Sequence, residues 1–129
     1  MKILKKSLLT IIPFTLAAVL ASTPVFAGDS AAGKAVYDGK GACAACHGAT
    51  GAGDGVAAAA LTPKPASFVT ASFRFDTNGD GQPGSDSDIA DVIKYGAAKY
   101  GGNVSMPGRA DLTDEEISNL VAYIHAMKQ

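Results

Sequence analysis

The 129-residue chain has no tryptophan, only two cysteines and no run of like charges. Two cysteines exclude a disulfide-rich scaffold, because a bond between Cys43 and Cys46 would close a trivially small loop. The lack of any basic stripe excludes nucleic acid as a partner, since phosphate neutralisation needs clustered Lys and Arg. Nowhere does hydrophobicity alternate with period two over the length of a strand, and no segment repeats. The length fits one domain and is too short for a large multidomain enzyme.

Only one long apolar stretch occurs, and it stands at the amino end. Lys2, Lys5 and Lys6 precede Leu8–Leu20, which Pro13 interrupts, and Pro24-Val25-Phe26-Ala27 follows with a breaker and small residues. This is the three-part layout of a secretory signal peptide. The stretch from Ser7 to Leu20 is 14 residues. As a helix it reaches about 21 Å, short of a bilayer core of roughly 30 Å. A cleaved signal over 1–27 is therefore favoured over a membrane anchor, with 28–129 as the exported, periplasmic-type domain. Cleavage removes three of the eleven basic residues, leaving eight against twelve acidic ones, a net charge of −4.

Bulky apolar side chains are scarce in that domain. Val, Ile, Leu, Met, Phe and Tyr number 22 of 102 residues, and another 20 are Ala, which bury little surface. A small domain with such a core needs a disulfide, a metal or a bound cofactor.

The pattern that is present is helical. Asp29 or Ser30 caps a helix over 31–38, which Gly39 and Gly41 break. The segment 48–65 is rich in Gly, Ala and Pro, and Pro63 and Pro65 allow no more than a helical turn at 57–60. Phe68, Phe73 and Phe75 form a short aromatic stretch before a polar loop, 76–85. A helix over 86–95 ends at Gly96. Thr113-Asp114-Glu115-Glu116 reads as a capping box for a last helix, whose stripe is Ile117, Leu120, Val121 and Ile124. The expected fold is a small all-α domain with long loops.

Cys43-Ala44-Ala45-Cys46-His47 carries the chemistry. Cys-x-x-Cys-His is the attachment signature of c-type haem. Two thiols at this spacing reach the two vinyl groups of one macrocycle, and the next residue places an imidazole under the iron. A thioredoxin-like pair requires a strand before the motif and a helix after it, whereas Gly39–Gly41 precedes and Gly48–Gly55 follows. Zinc requires four ligands, and the other histidine, His125, lies far away on a helix. A structural disulfide leaves His47 without a role. Haem also answers the thin core, so folding and cofactor attachment are expected to be coupled.

Candidates for the second axial ligand are Met106, Met127 and His125. The last two fall near the apolar stripe of the final helix, where packing explains them. Met106 sits in the loop Asn103-Val104-Ser105-Met106-Pro107-Gly108, fixed by Pro107 between two helices. His47/Met106 ligation raises the potential of the iron and leaves no open position, which favours electron transfer over oxygen or peroxide chemistry.

With Cys43–His47 near the amino end, Met106-Pro107 about sixty residues later and a final amphipathic helix, residues 28–129 resemble a class I (monohaem) cytochrome c. Gly33 and Tyr37, Gly48 and Gly53, and Leu112–Ile117 leading to Tyr123-Ile124 match as well. Cytochrome c′-type bundles resemble the chain less, because they carry the haem motif near the carboxyl end. The resemblance implies three to five helices around one covalent haem c, with first and last helices crossing and one haem edge exposed. It also implies a proline carbonyl, from Pro63 or Pro65, accepting the proton of His47.

The function so implied is a soluble one-electron carrier. It is not an enzyme, is monomeric, and meets redox protein partners or docks transiently to a membrane complex. If Met106 does not ligate iron, a peroxidase-like enzyme or a haem sensor is the alternative. Tyr37, Phe68, Tyr95 and Tyr123 are expected to line or buttress the cavity. Lys40, Lys64, Lys94, Lys99 and Arg109 either ring the exposed edge and steer an acidic partner or are scattered surface cations. Asp76-Thr77-Asn78-Gly79-Asp80-Gly81 matches the first half of a calcium loop, making Asp76, Asn78 and Asp80 candidate ligands. Ser87, between Asp86 and Asp88, stands where the bidentate Glu belongs, and the competing reading is a solvated turn.

Overall fold

The computed structural model describes residues 27–129. The expected signal segment therefore lies, but for its last residue, outside the described residues. Among these there are four α-helices and no strands, as the all-α expectation requires.

Helix α1 (Ser30–Asp38) starts at Asp29, whose carboxylate accepts the N–H groups of Ala31 and Ala32 at 2.8 and 3.1 Å. Its four free N–H groups need such an acceptor. One turn, α2 (Ala44–His47), follows. Helix α3 (Asp86–Tyr95) opens on a capping box of Ser85 and Asp88, and α4 (Asp114–Ala126) on the box of Thr113 and Glu116. Short 3₁₀ turns cover Ala58–Ala60 and Ala97–Tyr100.

The first and last helices cross, and a glycine lets them. A Cβ on Gly33 would stand 1.9 Å from the Asn119 carbonyl oxygen, so the two backbones touch there. Asn119 also caps the approach, its Oδ1 accepting the Asp29 N–H at 2.7 Å. Around this point Tyr37 and Leu120 are fully buried, and Tyr123 meets the Tyr37 ring edge-on at 5.3 Å. The stripe Ile117, Leu120, Val121 and Ile124 is buried throughout, joined by Ile89 and Ile93 of α3. No helix among the described residues is long and apolar enough to cross a membrane.

The loop 76–85 closes on itself. Asp76 accepts the N–H groups of Gly79, Asp80 and Gly81 at 2.8, 3.1 and 2.8 Å, and Asp80 accepts that of Gln82 at 2.8 Å. Asn78 donates to Asp80 and to Ser87, both at 3.1 Å. Asp88 turns inward to Thr77 and Ser85. Among the described residues no three His, Cys, Asp or Glu side chains are grouped to hold a metal ion. The calcium expectation gains no support from this geometry, and the turn of short polar side chains describes the loop.

Candidate functional site

Cys46 and His47 lie in the single turn of α2, with Cys43 as its cap. Gly48 leaves the helix at φ +84°, and the following loop folds back over the carbonyls that the turn leaves open. Gly53 N–H donates to His47 O at 2.8 Å, Gly55 to Cys46 at 3.1 Å, and Ala57 to Ala45 at 3.0 Å. A four-residue helix has no stability of its own, so this wrapping sets the motif's shape. Both thiols and the imidazole line one cavity of about 360 Å³.

Cys43 and Cys46 are half-buried and no disulfide joins them. Burial pushes the Cys43 thiol above its ordinary range, with Arg109 opposing only in part. A reactive redox thiol carries the opposite shift, so Cys43 lends the thioredoxin-like reading no support.

His47 is 9% exposed. Burial lowers its pKa below the ordinary imidazole value, so the neutral ring that can act as a metal ligand is favoured. Its Nδ1 lies 3.1 Å from the Ala66 carbonyl oxygen. A carbonyl only accepts, so Nδ1 carries the proton and the Nε2 lone pair is free. The acceptor is thus Ala66, correcting the expectation of Pro63 or Pro65. The Pro65 carbonyl instead lies where a Cβ on Gly53 would meet it at 2.7 Å. Phe68, whose N–H donates to Gly51 O at 2.7 Å, anchors the next segment and brings residue 66 to the ring.

Met106 reaches the same cavity from a separate segment. Its own carbonyl accepts the Ala97 N–H at 3.0 Å, and Ser105 N–H donates to Asn103 Oδ1 at 2.8 Å. Gly96 and Gly108 let this loop lie on the end of α3. A Cβ on Gly108 would meet the Tyr95 carbonyl carbon at 2.7 Å, and one on Gly96 the Gly108 nitrogen at 2.6 Å. Arg109 ties the loop to the chain ahead of Cys43, donating to the carbonyls of Gly41 and, at 2.6 Å, Lys40.

The other ligand candidates are elsewhere. His125 is exposed, its Nε2 2.8 Å from Asp86 Oδ1. Met127 is buried with its sulfur over Gly51, outside the cavity lining. Two thiols, a neutral imidazole and a thioether around an otherwise largely apolar cavity fit an iron porphyrin bound through sulfur. Phe68 lines the cavity, and Tyr37 and Tyr123 pack behind it. Tyr95 departs from expectation: it is 49% exposed beneath Lys99, whose Nζ is 3.8 Å from the ring centroid. Phe73 and Phe75 take the place expected of it on the cavity wall. Their alternation through Ser72-Phe73-Arg74-Phe75 was the available sign.

The cations form no free ring. Lys40 pairs with Glu116 at 2.9 Å, Lys94 with Asp114 at 2.6 Å, and Arg109 with Asp111 at 2.8 Å. Lys64 lies on the cavity wall. Scattered and locally paired cations is the reading that fits.

The cytochrome c family model matches residues 30–128. Cytochrome c-554(547) of Halothiobacillus neapolitanus is 32% identical over 104 residues, covering 79% of this chain and all of that protein. Among solved structures, a chain of the reducing HAO-like protein complex of Kuenenia stuttgartiensis aligns with a TM-score of 0.62 and 33% identity over 75% of this chain. The alignment spans only 41% of that longer chain.

Proposed function

The chain belongs to the cytochrome c family, and from that premise we propose that it is an exported, soluble, monomeric monohaem carrier of single electrons rather than an enzyme. One observation carries this reading: Cys43, Cys46, His47 and Met106, from two segments about sixty residues apart, line one cavity. Haem, when bound, supplies a one-electron iron couple. Cys43 and Cys46 would hold it through their sulfurs, and His47, whose Nδ1 is held by the Ala66 carbonyl, and Met106 would bind its iron. Two protein ligands on the iron would leave no position for a substrate, and the apolar wall would keep water from it. The basic start and short apolar run at 1–27 support a periplasmic destination.

Mass spectrometry of the secreted protein together with its oxidised spectrum tests this. The expected result is a mass beginning at or near Gly28 plus one haem, with the weak red charge-transfer band of thioether ligation. Colourless protein with free thiols overturns the reading. Ready binding of CO by the resting reduced protein, with no thioether band, revives the peroxidase-like or sensor alternative.

The likeness to part of a chain in a HAO-like protein complex favours a second reading, in which the same relay serves docked within a larger redox assembly. Light scattering of the protein isolated under native conditions separates the two: a monomer mass supports the free carrier, a co-purifying assembly the second.

A further inference from the structure

The proximal imidazole is gripped on its face as well as at its nitrogen. The Phe68 ring lies against His47 with centroids 4.5 Å apart and planes within 17°. Phe68 is 6% exposed and packed between its neighbours. It also stacks with Phe73 at 6.0 Å and 23° and packs edge-to-face with Tyr37 at 6.5 Å and 69°. Tyr37 is itself fully buried, its hydroxyl donating to Gly48 O at 2.7 Å. Gly48 directly follows His47, so the buttress and the ligand are braced by one carbonyl.

The Ala66 hydrogen bond alone leaves slack. A carbonyl accepts over a broad range of directions, so it restrains rotation of the imidazole about Cβ–Cγ only softly. A flat ring at van der Waals distance blocks the same rotation sterically. We propose that Phe68 is a positioning residue that fixes the plane of the His47 imidazole, and with it the axis along which that ligand's π system meets the iron. This rests on the ligand role proposed above for His47.

The test uses oxidised holoprotein, read by electron paramagnetic resonance and by the haem-methyl proton shifts, both of which follow the imidazole plane. Wild type and Phe68→Tyr, which keeps the flat face, are expected to give one low-spin species with the same signature. Phe68→Leu, apolar and of similar bulk, is expected to shift or split that signature at unchanged haem content. A Phe68→Leu spectrum identical to wild type overturns the proposal, as does a Phe68→Tyr spectrum displaced as far as that of Phe68→Leu. Should Phe68→Leu fail to retain haem, wild type alone decides. Methyl shifts that follow one orientation across the accessible temperature range support the clamp, and averaging between two orientations overturns it. Wild-type protein with no low-spin haem signal removes the His47 ligand role and this proposal together, a result distinct from an unmoved Phe68→Leu spectrum.

Discussion

At the scale of single residues, Asp88 shows how a buried charge is kept. It is 1% exposed. Burial pushes its carboxyl up, yet hydrogen bonds from Ser85 and Thr77 outweigh that and hold it at about 2, against an ordinary 3.8. A depressed native pKa contributes stability that is complete above the unfolded value and vanishes as pH falls through the folded one. About 2 kcal/mol should therefore be lost between roughly pH 4 and pH 2. Denaturant titrations across that window check this, and Asp88→Asn should flatten the slope. Met106→Ala should lower the potential by on the order of 100 mV, part of the roughly 0.8 V that axial ligands span, and admit an external ligand. Voltammetry and CO binding read both effects. That Cys43, Cys46 and His47 share one cavity wall was legible from their contiguous spacing, and that Met106 joins them from the loop that Pro107 fixes. Ala66 was not, because the atom that matters is a carbonyl, which every residue owns.

Between elements, the crossing of α1 and α4 depends on one missing methyl group. Gly33→Val should clash with the Asn119 carbonyl and cost about 3 kcal/mol or more, the upper range of overpacking. Ala35→Ser, on the exposed side of the same helix, should be near neutral. Thermal unfolding of the two holoproteins compares them. Gly108→Ala should push the methionine-bearing loop off the end of α3, weakening the thioether charge-transfer band while far-ultraviolet circular dichroism holds. Caps made α1 and α4 readable, since Asp29 and Thr113 advertise their N-termini, α1 beginning only one residue before its expected start, whereas α3 was read from the glycine that ends it and its Ser85 capping box appears only in the structure. The turn α2 carries no such sign. It exists because Gly53, Gly55 and Ala57 bind its carbonyls from a later loop, and a chain-local pattern does not report such a contact. The turn Ala97–Tyr100 is hidden for a like reason, leaning on the Met106 carbonyl.

For the whole molecule, the shortage of bulky side chains and the cavity of about 360 Å³ are one fact seen twice. Phe68, Phe73, Ile93 and Leu112 line that cavity, so a bound group would complete the core they begin. Protein made without attachment, for instance Cys43→Ala/Cys46→Ala in the absence of haem, should show little helical dichroism and no cooperative melt. A well-folded, sharply melting apoprotein would contradict the coupling. The sequence foretold this need, but not how the two sides of the molecule are latched. Arg109 buckles the loop after Met106 onto the carbonyls of Lys40 and Gly41. On the ligand role proposed for Met106, a strap fastened beyond it would hold were the sulfur to let go of the metal, which would make slippage there a local, self-healing event rather than the first step of unravelling.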